Sequence, residues 1–304
     1  PSVQITFTNK CATAGCHNEK SYRNAGGLNL SSWEALFAGG NNGSVVVPYA
    51  PFQSSLLQFI NSYVALGLSA TPRMPLNDQA LSYREVSDIR SWILQSCPDT
   101  YGHIPFADHA ATRGKAYITN QGCDLVDVID ADTRMIMRSI KVGKDSSIIE
   151  QPHNIKMSPD GKYWYVCFSN GSWLQKYDAV ADTLVGEVNI SAGKWNVIYL
   201  SRLHPYAWVS DFSSNGRIVL VDINLMTVLQ TFASALFSNP HGITATSTED
   251  TLYATSQYGN MIYRIIPGIP QIDNIPLQNG VAPVLTPGLL DPHEIMFSPD
   301  YRYY

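Results

Sequence analysis

Two hydrophobic periods divide the chain. After residue 82 the spacing is helical: Val86, Ile89 and Ile93 fall at i, i+3 and i+7, with Trp92 beside them, so one helix face is apolar. Ser82 and Glu85 stand in front of this stripe at the spacing of a capping box. Pro98 limits the helix at its far end. Ser32 to Phe37 (SWEALF) predicts a second, short helix stopped by Gly39 and Gly40. From about residue 116 onward the pattern changes to short apolar strands separated by turns. LVDVIDADTRMIMRSIKVG at 125–143, LQKYDAVADTLVGEV at 174–188 and RIVLVDINLMTVLQTF at 217–232 each predict paired strands.

The strand region repeats. PHNIKMSPDGKYWYV at 152–166 returns as PHGITATSTEDTLYA at 240–254 and as PHEIMFSPDYRYY at 292–304, with a degenerate copy, WNVIYLSRLHPYAWV, at 195–209. Each copy predicts an apolar strand, a turn and a second aromatic strand. Four strands in every ~40–50 residues is the period of a β-propeller blade. An open β-sandwich also has short strands but would not repeat such turns at this interval. About four blades fit before Tyr304, and an open fan would leave two edges unpaired.

Length and composition agree with two parts. A chain of 304 residues suggests about two domains. Charged residues are only 15%, with 17 Tyr and 6 Trp, a profile that suits β-structure. A net charge of −5 without a basic run argues against a nucleic-acid partner. No run of ~18 apolar residues predicts a transmembrane segment. Nucleophile-elbow, phosphate-loop, dinucleotide-binding and HExxH patterns are absent. Asp127, Asp130 and Asp132 lack the spacing of a calcium loop and read as strand-end carboxylates.

The sharpest chemical signal is CATAGCH, Cys11 to His17. Covalent haem attachment needs two thiols for the two vinyl groups and an imidazole directly after the second thiol as iron ligand. The usual spacing is C-x-x-C-H; here four residues separate Cys11 from Cys16, so the arc between them must bulge. A zinc site would want two further Cys or His ligands nearby, and the next candidates are Cys97 and His103; a disulfide is the other alternative. The second axial ligand would be Met74, the single Met before residue 102, in TPRMPLN between Pro72 and Pro75. Two prolines stiffen this loop. The alternative is a Met that fills a core gap. Cys97, Cys123 and Cys167 remain, with their pairing open.

Residues 1–98 resemble a class I cytochrome c domain of the kind fused to other modules in bacterial envelope proteins; NKCATAGCH, AGGLNLSSWEAL and RMPLN carry the likeness. The resemblance implies a small all-α domain with one covalent haem c, thioether bonds at Cys11 and Cys16, and iron ligands at His17 and Met74. AYITNQGCDLVDVIDADTRMIMRSIKVG at 116–143 resembles the YVTN repeat of bacterial propellers, which implies an all-β propeller over 107–304, part of a seven-bladed ring, joined by a linker at 99–106. On that basis a further ~100–150 residues are expected beyond Tyr304 at the same period. A secretion signal, with or without a lipid anchor, is expected ahead of Pro1.

His153, His241 and His293 share one position in the repeat, and Asn196 replaces them in the degenerate copy. Equal offsets should bring them to one end of a central channel, apart from His204, at separations too wide for a shared zinc without a bridging cofactor. There they would hold a second metal, a second haem or an anionic substrate, or else cap backbone groups. Two functional readings follow. One is an electron-transfer cytochrome of the periplasm or outward-facing envelope, with the propeller docking a redox partner protein or membrane complex. The other is an oxidoreductase in which the haem feeds a propeller centre, the domain order of the cd-type nitrite reductases.

Overall fold

The capping box and apolar stripe at 82–93 form as the local chemistry dictates. In the computed structural model, which describes residues 2–108, 111–278, 280–285 and 290–304, helix α4 spans Tyr83–Leu94. The Ser82 hydroxyl accepts from the Glu85 N–H at 3.3 Å, and the Glu85 carboxylate accepts from the Ser82 N–H at 2.7 Å. Val86, Ile89 and Ile93 are fully buried. The chain divides into two compact units, Pro1–Ile118 with Val126–Ile140, and Thr119–Leu125 with Lys141–Tyr304.

The first unit holds α1 (Ser2–Lys10), α2 (Trp33–Phe37), α3 (Ser55–Ile60) and α4. α2 is capped by the Ser32 hydroxyl, which accepts from the Ala35 N–H. α1 packs on α4: Phe7 meets Trp92 edge to face at 6.3 Å, and Lys10 pairs with Glu85 at 2.8 Å. Burying an apolar side chain of this size is worth roughly 1.5–3 kcal/mol, whereas a part-exposed ion pair gives about 0.2–1 kcal/mol. Burial therefore sets the helix contact, and the ion pair fixes its register. The shared core runs from Phe7 and Cys11 through Leu30, Leu57 and Ile60 to Ile89.

Fifteen strands follow among the described residues, in four antiparallel sheets whose strands run in chain order. The first sheet has β1 (Lys115–Asn120), β2 (Leu125–Asp130) and β3 (Ile136–Lys141). The second has β4 (Pro152–Met157), β5 (Tyr163–Phe168), β6 (Gly171–Asp178) and β7 (Leu184–Gly193). The third has β8 (Trp195–Leu200), β9 (Tyr206–Asp211), β10 (Arg217–Asp222) and β11 (Thr227–Ala233). The fourth has β12 (Pro240–Ala245), β13 (Leu252–Ser256), β14 (Met261–Ile265) and β15 (Ile272–Pro276). The architecture is a small helical region followed by antiparallel sheets.

The strands β8, β9 and β10 of the third sheet are largely buried, which explains their unbroken apolar runs, whereas β11 is mostly exposed. In β10, Val219 and Val221 pack with Tyr165, Cys167 and Leu174 of the second sheet. The alternate residues, Ile218 and Leu220, pack with Ile243, Ala254 and Tyr263 of the fourth. Each step along the strand turns a side chain to the opposite face. The first strands β4, β8 and β12 lie side by side, and the Ile198 N–H donates to the Asn154 side chain across them.

One expectation for the repeat is corrected. The copy at 292–304 was expected to form strand, turn and strand. Among its residues no strand pairs; only the turn closes, with the Ser298 N–H on the Tyr303 carbonyl and the Ser298 hydroxyl on Asp300. Turn bonds are local, whereas a strand needs a ladder along its length.

Candidate functional site

Helix α1 delivers Cys11 to the core. The Cys11 N–H still donates to the Phe7 carbonyl, and the chain then folds into a closed arc: the His17 N–H donates to the Cys11 carbonyl at 3.0 Å, and the Cys16 N–H to Thr13 at 3.1 Å. Gly15, at φ +79°, supplies the left-handed residue that the bulge of four intervening residues requires. The Asn18 side chain holds the arc from outside through the Thr13 carbonyl. Cys11 is buried and Cys16 exposed. Burial first, and then the proximity of Cys16, push the Cys11 thiol up to about 11. It stays protonated at neutral pH and is a poor ready-made thiolate ligand.

The His17 ring lies with Nδ1 3.0 Å from the Leu28 carbonyl. A carbonyl only accepts, so Nδ1 is the donor, and in the neutral ring Nε2 carries the lone pair. Metal-bound histidines are oriented in this way. Met74 sits half-buried against the same core as Cys11, Leu30 and Ile60. Its N–H is fixed on the Phe59 carbonyl at 2.8 Å, and Arg73 reaches the Asp78 carbonyl at 2.8 Å. No disulfide joins any of the five cysteines.

A second candidate site lies within the sheets. The first strand of each of the last three sheets carries a register shift at the same place: between Pro152 and Asn154, between Trp195 and Ile198, and between Pro240 and Ile243. Bulges re-aim side chains, and these bulges contain His153, Asn196 and His241. All three residues line one cavity of about 650 Å³, together with His293, Glu294 and Lys194. His153 is hydrogen-bonded to the Gln121 side chain. His241 is 6% exposed and meets Phe212 edge to face at 5.6 Å. Burial, reinforced by the neighbouring His293, lowers the His241 imidazole to about 4, so it is neutral at neutral pH. His204 lies elsewhere, exposed and stacked on Tyr206 at 5.5 Å.

The spacing expected of the histidines is corrected here. His241 and His293 are in ring contact, with centroids 3.8 Å apart. The cause is a close main-chain approach: the Gly242 N–H and the Thr255 hydroxyl both donate to the His293 carbonyl, at 3.0 Å each. A Cβ on Gly242 would stand 2.8 Å from that carbonyl oxygen and from the Glu294 Cα, so only glycine admits this contact. Glu294 carries no motif that marks it in the sequence. Its one signal was its place directly after His293.

Residues 14–68 match the family model described as Planctomycete cytochrome C. The span includes Cys16 and His17 and leaves Cys11 and Met74 outside its ends. Comparison with curated proteins gave no match. Among solved structures, the chain is similar to Kuenenia stuttgartiensis hydrazine synthase, at 20% identity and a TM-score of 0.47, over 54% of this chain and 51% of that one. It is also similar to a chain of a mitotic checkpoint complex, at 16% identity and a TM-score of 0.44, over 53% of this chain and 45% of that one. The chain thus spans about half the length of these solved chains. What the sequence and fold define is a chain with a segment similar to cytochrome c, continuing into a β-rich region.

Proposed function

We propose that the helical domain, residues 1–98, carries one covalent haem c, with thioether bonds at Cys11 and Cys16 and axial ligands at His17 and Met74, and that the protein transfers single electrons. The observation that carries this reading is the orientation of His17 inside the matched segment, with Nδ1 held by Leu28 and Nε2 left for a metal. The rest of the donor set fits. Cys11 and Cys16 lie in one hydrogen-bonded arc, and Met74 stands on the apolar core that would cover a porphyrin edge. Zinc fits less well, because among the described residues Cys11, Cys16 and His17 do not bring three ligand atoms together as His241, His293 and Glu294 do. A bound haem c supplies one-electron chemistry, and a His/Met pair raises its potential. The chain's own part is to fix the imidazole tautomer, seat the thiols and place the thioether.

The sheets of residues 107–304 are proposed as propeller blades that dock a redox partner protein or membrane complex. Their chain-order strands and adjacent first strands support this. Haem c is attached outside the bacterial cytoplasm, so the proposed location is the periplasm or the outer side of the envelope. Among the described residues no helix is long and apolar enough to cross a membrane. A second reading, an oxidoreductase whose haem feeds a centre in the sheets, draws on the cavity shared by His153, His241 and His293. Potentiometric titration of the purified protein tests the first reading. One single-electron wave with a haem spectrum is expected; a protein without a haem spectrum overturns it.

A further inference from the structure

β12 and the 293–294 segment bring three side chains able to ligate a metal close together. The Nδ1 atoms of His241 and His293 lie 3.5 and 3.6 Å from one Glu294 carboxylate oxygen. Ligand atoms from all three residues fall within 4.8 Å of one another. Two donors bound to a tetrahedral ion at about 2.0–2.1 Å are about 3.4 Å apart, whereas a hydrogen bond between them would need about 2.7–3.2 Å. The contacts therefore match the edges of a coordination polyhedron and are longer than hydrogen bonds.

A second observation points the same way. The His241 side chain is more than nine-tenths buried, and its Nδ1 has no hydrogen-bond partner. Buried polar atoms without partners are rare and call for an explanation, a bound ion among them. This atom lies 3.5 Å from the Glu294 carboxylate, and His241 lines the cavity. The two imidazoles also touch, with ring centroids 3.8 Å apart.

We propose that His241, His293 and Glu294 bind one divalent transition-metal ion, with at least one coordination position left open to the cavity. Two imidazoles and a carboxylate suit zinc, or iron(II) and its neighbours, and among the described residues no cysteine lines the cavity to favour softer ions. Three protein ligands with an open position are the mark of a site that accepts a further small ligand rather than a closed structural one. The main chain presets the set: the bulge in β12 aims His241, and Gly242 lets His293 and Glu294 approach. The site stands on the sheets alone and does not rest on the haem assignment.

The test uses the full chain, stripped with a chelator, with zinc as the probe. Calorimetry gives stoichiometry and affinity, X-ray absorption gives the donor atoms, and haem iron is measured separately. One zinc per chain is expected, in a shell of nitrogen and oxygen. Glu294→Gln and His293→Ala alter side chains that are more than half exposed and should leave the haem content, and the melting temperature of the zinc-free protein, unchanged. Each should weaken zinc by more than the roughly 10–100-fold typical of outer-shell partners. No stoichiometric zinc in the parent protein, unchanged affinity in both variants, or sulfur in the shell would overturn the proposal.

Discussion

The Nδ1 atom of His17 lies 3.0 Å from the main-chain carbonyl oxygen of Leu28. The link is reinforced from the other side, because the Leu30 N–H donates to the His17 carbonyl at 2.8 Å. The segment at 28–30 therefore holds both the ring and the backbone of the proposed iron ligand. This fixes which nitrogen a metal would meet before any haem arrives.

Met74→His should keep the haem covalently attached and lower its midpoint potential, since imidazole donates more strongly than thioether and stabilises the ferric state. The shift should be clear within the roughly 0.8 V that axial ligands span. Potentiometry measures it, and loss of the near-infrared sulfur-to-iron band confirms the exchange. An unchanged potential contradicts Met74 ligation.

Ser82→Ala removes the hydroxyl that accepts from the Glu85 N–H. The expected cost is about 1 kcal/mol, read as a lower melting temperature of the helical unit. Ile89→Ala, at a fully buried position of the same helix, should cost about 2–5 kcal/mol. Thermal unfolding should rank the two in that order.

Glu249 ties two neighbouring turns. Its carboxylate accepts from the Tyr199 hydroxyl and the Arg202 N–H, both at 2.9 Å, and from the Ser201 hydroxyl. Desolvation raises its pKa, but these hydrogen bonds outweigh it and leave the pKa below the usual glutamate range. A depressed carboxylate pKa gives stability that is fully present above the unfolded value and is lost as pH falls through the folded one. Glu249→Gln should therefore lower stability at neutral pH, by about 1–3 kcal/mol, and narrow its gap from the parent protein as pH drops below about 4. Denaturant titrations at neutral and acid pH check both effects.

The helix at 83–94 was legible because everything that makes it is local: a cap, a box partner and a stripe of three residues. The sheets were legible because the same local pattern recurs. The shared cavity position of His153, Asn196 and His241 followed from that recurrence. What the residues could not tell was the register shift that turns these side chains, since a bulge depends on how two strands pair. Glu294 stayed hidden for a related reason. Its approach to His241 depends on the absence of a Cβ at Gly242, fifty-odd residues away, and a glycine in a strand pattern does not say what it admits. The copy at 292–304 showed the reverse, a pattern that promised two strands and closed only the turn.

The central claim is that Cys11, Cys16 and His17 hold a haem. The most direct measurement is mass spectrometry of the proteolytic fragment containing residues 11–17, from protein made in a host that matures c-type cytochromes. The account predicts one haem on this fragment, joined through both sulfurs, with Cys16→Ala losing one thioether bond and Cys11→Ala the other. A fragment with two free thiols and no added haem would contradict it.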